Sequence, residues 1–218
     1  MFTLEPINSE LEKLSHLHLS LFRDFLKKFI SFTDEEWIIF AEQLYSRNLK
    51  KKDYFVEAGN LCTEVGFIIQ GSLRCFNIKE GAEITDYFCL ENDMISAYKS
   101  FLTGTPSSTS IEAIENTSLI IFSKAGLDKL LANEHINYKI ERFGRLVAEY
   151  YLICYEDRVT SFVMQSPEER YLSLLKDNRN IIRRIPQHYI ANFLGITPVS
   201  LSRIRKRIME PVNQIRVS

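Results

Sequence analysis

Leu11, Leu14, Leu17, Leu21 and Phe25 recur three or four positions apart with polar residues between them. This pattern predicts a surface helix within residues 1–30. Thr33-Asp34-Glu35-Glu36 has the form of a capping box. A second helix is therefore expected to start at Thr33 and run through Trp37, Phe40 and Leu44. From about Tyr45 to Phe122 the texture changes to short runs rich in Phe, Ile, Val and Tyr, broken by Gly, Asn, Asp and Pro. The runs Gly66–Phe76, Glu83–Phe88, Ser110–Ile114 and Ser118–Phe122 read as strands. Turns are expected at Ala58-Gly59-Asn60, Glu80-Gly81-Ala82 and Leu90-Glu91-Asn92-Asp93. Strands at this spacing predict a compact antiparallel roll or barrel.

The helical period then returns. Ile140, Phe143, Val147, Tyr150 and Cys154 alternate by three and four, which predicts a long helix from Asn137 to Met164 with one apolar seam. Leu146 and Ile153 widen that seam. A twin helix from a second subunit is the expected partner, and packing on the chain's own β domain is the alternative. Ser166-Pro167-Glu168-Glu169 opens a further helix, with Ser166 as cap, Pro167 first and two acids at the positive end. Its core face would be Tyr171, Leu174 and Leu175.

The stretch Gln187–Ile208 reads as a helix, a tight turn and a second, basic helix. Ala191 is small where the helices would cross, Gly195 can take the positive φ of the turn, and Leu201 would plug the space between them. Thr197 suits an N-cap and Pro198 the first helical position. That combination describes a DNA-binding helix-turn-helix. Leu201, Ile204 and Ile208 would face the core, and Val199, Ser202, Arg203 and Lys206 the major groove. Arg203 is the expected bidentate reader of guanine, because its planar fork matches the two acceptors on the guanine edge. Arg205, Lys206 and Arg207 are expected at phosphates. Gln187 and Thr197, at helix starts, are further phosphate candidates, and Pro198 and Ser200 complete the face.

Charge supports this division. The net charge of −1 hides a net of +6 over residues 160–218 and −7 over residues 1–159. A basic end on an acidic body is the footprint of a nucleic-acid module joined to a sensor or partner module. No run approaches 18 apolar residues and the N-terminus has no apolar signal core, so a cytoplasmic protein without membrane contact is expected. Cys62, Cys75, Cys89 and Cys154 form no CxxC pair and are expected to be free thiols. Neither metal nor cofactor is expected.

A roll, a long connecting helix and a C-terminal helix-turn-helix, in this order, resemble the Crp/Fnr family of bacterial transcription regulators. The resemblance covers roughly residues 30–210 and rests on Ile69-Gln70-Gly71-Ser72-Leu73-Arg74, Glu91-Asn92-Asp93-Met94-Ile95 and Leu194–Arg203. It implies an α+β fold: an antiparallel β-roll sensor domain with N-terminal helices (1–134), a dimerisation helix (135–164) and a helix-turn-helix domain (165–218). The usual two-stranded wing must be truncated or absent, since Gln214-Ile215-Arg216-Val217 can form at most one short strand. The implied partners are a second copy of the chain and double-stranded DNA carrying a palindromic operator. RNA polymerase is a further candidate, and the existence and identity of an effector are left open.

The sequence departs from the family where cyclic-nucleotide-binding members hold their ligand. Their Gly-Glu pair falls on Ser96-Ala97 and their Arg-Ser pair on Ser107-Ser108, leaving Lys99 as the one nearby cation. A buried phosphate without its guanidinium is costly to desolvate, so no response to cyclic AMP is expected. Two positions that often carry Arg and Glu at the start of the recognition helix are Pro198 and Val199. Val199 can touch a thymine methyl group, so the operator is expected to differ from the common family half-site. The competing functions are a cupin-like enzyme and a protein-interaction module. The first needs metal-binding histidines, and residues 45–122 contain none.

Overall fold

The computed structural model describes residues 14–177 and 179–214. Two helices, α1 (His16–Leu26) and α2 (Asp34–Ala41), lead into the strands β1 (Leu44–Leu49), β2 (Tyr54–Val56), β3 (Glu64–Gln70), β4 (Leu73–Lys79), β5 (Ala82–Cys89) and β6 (Met94–Ile95). A short α3 (Tyr98–Thr103) precedes β7 (Ser110–Ala113) and β8 (Thr117–Ser123). The rest is helical: α4 (Lys124–Ala132), α5 (Asn137–Met164), α6 (Pro167–Asp177), α7 (Arg179–Arg184), α8 (Gln187–Phe193) and α9 (Pro198–Gln214). The chain divides into two compact units. One is Met1–Arg74 with Cys89–Ala148, and the other is Cys75–Phe88 with Glu149–Ser218.

The strands form two sheets. One has the order β1-β8-β3-β6, antiparallel throughout, and the other β2-β7-β4-β5. Val65 to Ile68 in β3 and Leu119 to Phe122 in β8 are buried without alternation, because both faces of this sheet are covered. Gly66 permits that closeness: a Cβ there would lie 2.9 Å from Leu119 Cδ2 and 3.1 Å from Phe55 Cε2. The run Gly66–Phe76 is two strands rather than one, since Gly71 turns the chain at φ +106°. The β4–β5 hairpin closes through Glu80 and Gly81, both at positive φ (53° and 79°), as a two-residue type I′ turn requires. The other expected turns carry positive φ at Gly59 and Asn92.

Several sequence expectations need correction. α1 presents Phe22 and Leu26 to the core, while Leu17 and Leu21 are exposed. The buried face is set by aromatic packing: the Phe22 ring lies 4.8 Å from that of Phe67 and 6.2 Å from that of Phe40. Leu11 lies outside the described residues. α2 is capped by Thr33 and Glu36 as a full capping box, but it stops at Ala41, and Leu44 opens β1. β1, β2, β6, α4 and α7 were not anticipated as separate elements.

The long helix α5 spans Asn137–Met164, as its periodicity predicts, but its seam is not one surface. Ile140, Phe143 and Val147 are buried within the first unit, with the Phe143 ring edge-on to Phe29 at 5.9 Å. Tyr150 is exposed and Cys154 half-buried. The first half of the expected dimer seam is thus occupied by the chain itself. Beyond Tyr150 and Ile153 of the expected seam, a second line of α5 is also exposed: Leu152 (61% exposed), Tyr155 (68%), Val159 (61%) and Val163 (75%). All four cysteines are free thiols.

Candidate nucleic-acid interface

The second unit brings α8 and α9 together across a tight turn. Ser166 accepts from Glu169 N–H, and the Glu169 carboxylate accepts from Ser166 N–H, so α6 begins with a reciprocal cap. Tyr171 is its buried anchor, with Leu174 and Leu175 half-buried. α8 ends in a Schellman motif. Gly195 adopts φ +71°, its N–H donates to Asn192 O, and Ile196 N–H donates to Ala191 O. Thr197 Oγ1 then accepts from Ser200 N–H at 3.1 Å, and α9 starts at Pro198. Ile190, Ala191, Leu194, Leu201 and Ile204 are buried between the helices, and Ile208 is half-buried. Cap, turn, small residue and plug therefore meet as the sequence spacing implies.

The outer side of α9 carries Pro198, Val199, Ser202, Arg203, Lys206 and Arg207, all exposed, with Ser200 half-buried. An open groove of about 570 Å³ is lined by Pro167, Ile196, Ser200, Arg203, Ile204, Lys206 and Arg207. The basic residues do not all project freely. Arg205 is half-buried and donates to Gln187 Oε1 at 2.7 Å, which ties α9 to the start of α8. Arg207 pairs with Glu168 of α6 at 2.7 Å. Val199, Ser202, Arg203 and Lys206, the residues expected to face the groove, stand exposed on one face.

The far end of α8 is held by residues that sequence reasoning missed. Arg158, on α5, donates to Phe193 O at 3.0 Å, and its guanidinium lies 3.6 Å from the Phe193 ring centre. Arg170, on α6, donates to Leu194 O at 2.9 Å and to Gln165 O at 2.6 Å. Both guanidinium groups also sit over the Phe162 ring, at 4.7 and 4.6 Å. Two cations thus satisfy carbonyls at the negative end of a helix. Burial pulls the Arg158 pKa down to about 10, against the opposing pull of Asp86. Burial also raises the Asp86 carboxyl, and the Arg158 charge partly restores it. No local pattern marks these contacts, because each joins residues distant in sequence.

The candidate effector residues lie in the first unit. Ser96 donates its hydroxyl to Glu64 O at 3.0 Å, beside the Cys62 thiol at 3.5 Å. Ala97 precedes α3 and makes no side-chain cap. Lys99 is exposed. Ser107 is buried, with its hydroxyl shared between Thr109 O at 2.7 Å and Thr109 N–H at 3.1 Å, whereas Ser108 is exposed. Ser96 and Ser107 thus brace local backbone. Among the described residues, no three His, Cys, Asp or Glu side chains are grouped to hold a metal, and no helix is long and apolar enough to cross a membrane. Of the strand expected at Gln214–Val217, Gln214 is helical and the other three residues lie outside the described ones.

Comparison with known proteins agrees with this architecture. Residues 46–134 match the family model of the cyclic nucleotide-binding domain. Among solved structures, FixK2 from Bradyrhizobium japonicum is 18% identical, with a TM-score of 0.64 over 76% of this chain and 84% of that one. The c-di-GMP-responsive global regulator CLP of Xanthomonas campestris is 12% identical, with a TM-score of 0.64 over 81% and 92%. A protein assigned to the crp/fnr family, from Eubacterium rectale, is 21% identical, with a TM-score of 0.58 over 82% and 84%. No curated protein matches the chain by sequence. The chain therefore has the fold seen in Crp/Fnr regulators, and its residues 46–134 match the cyclic nucleotide-binding domain.

Proposed function

We propose that the protein is a sequence-specific, DNA-binding transcription regulator that acts as a homodimer and does not respond to cyclic AMP. The observation that carries this reading is the α8–Gly195–α9 unit, with its Schellman turn, Thr197 cap and buried Leu201, presenting Val199, Ser202, Arg203 and Lys206 outward. Arg203 reads guanine, Val199 meets a thymine methyl, and Lys206 and Thr197 contact phosphate. Pro198 and Ser200 support that face. Arg205 acts through Gln187, holding the two helices together, and Arg207 is drawn toward Glu168. The dimer forms along Leu152, Tyr155, Val159 and Val163, whose spacings of three and four make a helical stripe too apolar to stand in water.

Selection of bound sequences from a random DNA pool, with purified protein and no added ligand, tests the reading. An enriched palindrome is expected, and the absence of any enrichment, with or without cell extract, counts against it. The cyclic AMP reading rests on Ser96, Ala97, Ser107 and Ser108, which bring no charge to the place where a phosphate would sit. Isothermal titration is expected to show no binding, and micromolar affinity would overturn it.

A further inference from the structure

In the sheet order β2-β7-β4-β5, β5 is an edge strand, and an edge leaves backbone donors and acceptors unpaired. Part of that edge is met by a single side chain of the helix-turn-helix. Asn192 Nδ2 donates to Glu83 O at 2.7 Å, and Asn192 Oδ1 accepts from Thr85 N–H. A carboxamide carries the donor and acceptor of a peptide group, so Asn192 serves as a one-residue strand partner for β5. One ring contact and one charge attraction further link the same hairpin to α8 and its support. The Phe193 ring packs against Phe88 at 5.1 Å, and Arg158, which holds Phe193 O, faces Asp86. Asp86 in turn accepts from Asn77 Nδ2 on the other strand of the hairpin.

α8 is only seven residues long, so its position depends on what it is attached to. The attachment point is telling. Asn192 is also the residue whose carbonyl accepts the Gly195 N–H of the turn into α9. One residue thus binds the hairpin through its side chain and the turn through its backbone. We propose that the β4–β5 hairpin is a clamp that sets the position of the helix-turn-helix, and that Asn192 is its positioning residue for DNA reading. This rests on the DNA-binding reading given above. Asn192 touches no base in this scheme. It fixes where α9 begins, so its loss blurs the register on which base-edge contacts depend and leaves phosphate attraction intact.

The test uses the full-length chain, wild type against Asn192→Ala and Asn192→Asp. Amide exchange at Thr85 and along α9 is read by NMR, and affinity is measured for the selected operator and for random DNA. In Asn192→Ala, Thr85 is expected to exchange at least about tenfold faster, operator affinity to fall about tenfold, and random-DNA affinity to stay within about twofold. Asn192→Asp keeps the acceptor for Thr85 but loses the donor to Glu83. Its operator affinity is expected to recover as the pH falls and the carboxyl gains a proton to donate, while wild type shows no such recovery. Unchanged exchange at Thr85 in Asn192→Ala overturns the clamp. Faster exchange with an unchanged ratio of operator to random binding overturns the positioning role. A wild type with no sequence preference overturns the DNA reading and the positioning role together, and Thr85 exchange then still decides whether the hairpin holds α8.

Discussion

Arg203 and Arg205 are two positions apart on α9, yet the structure gives them different surroundings. Arg203 is exposed on the outer face, and Arg205 is half-buried against Gln187. Arg203→Ala is expected to lower operator affinity by about 1–3 kcal/mol and to relax specificity at one base, as gel shifts on specific and random DNA would show. Arg205→Ala is expected to destabilise the second unit by about 1–2 kcal/mol in thermal melts, because it breaks a charge-assisted hydrogen bond between the helices. In the first unit, Glu36 accepts from Lys139 Nζ at 2.5 Å and from Thr33 N–H at 2.7 Å. Burial alone would raise its pKa, but these partners hold it below the ordinary value of 4.5. A depressed carboxyl stabilises the fold above its unfolded pKa and loses that contribution as the pH falls through the folded one. Wild type is therefore expected to melt above Glu36→Gln at pH 7, by about 2 kcal/mol of stability. The gap should close as the pH is lowered below 4.5.

At the scale of elements, two glycines decide whether strands and helices can meet. Gly71 turns β3 into β4 at φ +106°, and a Cβ there would lie 2.6 Å from Thr117 Cα and 2.7 Å from Asn116 O. Backbone cannot move aside as a flexible side chain can. Gly71→Ala is expected to cost about 3 kcal/mol or more, measured by denaturant unfolding. Gly195 also needs positive φ, but its nearest obstacle is the Phe162 ring edge at 3.3 Å. Gly195→Ala is expected to cost about 1–2 kcal/mol and to shift α9 enough to lower operator affinity. Only Gly195 was legible as a turn position, since Gly71 lies inside the run Gly66–Phe76 that reads as a single strand. The crowding around Gly71 was not legible either, because Thr117 is 46 positions away and reaches it only through sheet pairing.

At the scale of the molecule, the long helix is buried along its first part and exposes apolar side chains farther on. Phe143 is 5% exposed within the first unit, so Phe143→Ala is expected to lower stability by about 3–4 kcal/mol. Val159 is 61% exposed, so Val159→Asp is expected to leave the fold intact and yield a monomer in light scattering. Affinity for a palindromic operator should then fall by at least about a hundredfold, since two linked half-sites bind with an avidity that one lacks. The seam expected from periodicity ran through Phe143 and did not include Val159. Spacing shows that a helix has an apolar stripe, but not whether the chain or a second copy covers each stretch.

Patterns read within a few residues were legible from the chain alone. The capping box at Thr33, the Ser166 cap, the Gly195 turn, the Thr197 cap, the Glu80-Gly81 hairpin turn and the limits of α5 all follow from local backbone chemistry and from a single periodicity. The antiparallel roll was legible as a texture of strands and turns. The tertiary structure alone decided which face of α1 is buried, which stripe of α5 stays open, and that Arg205 is engaged while Arg203 stays exposed. It alone joined Asn192 to an edge strand more than a hundred residues earlier. Such contacts depend on side chains brought together by folding, and their energy is set by burial and by the partners available, neither of which leaves a mark in local sequence.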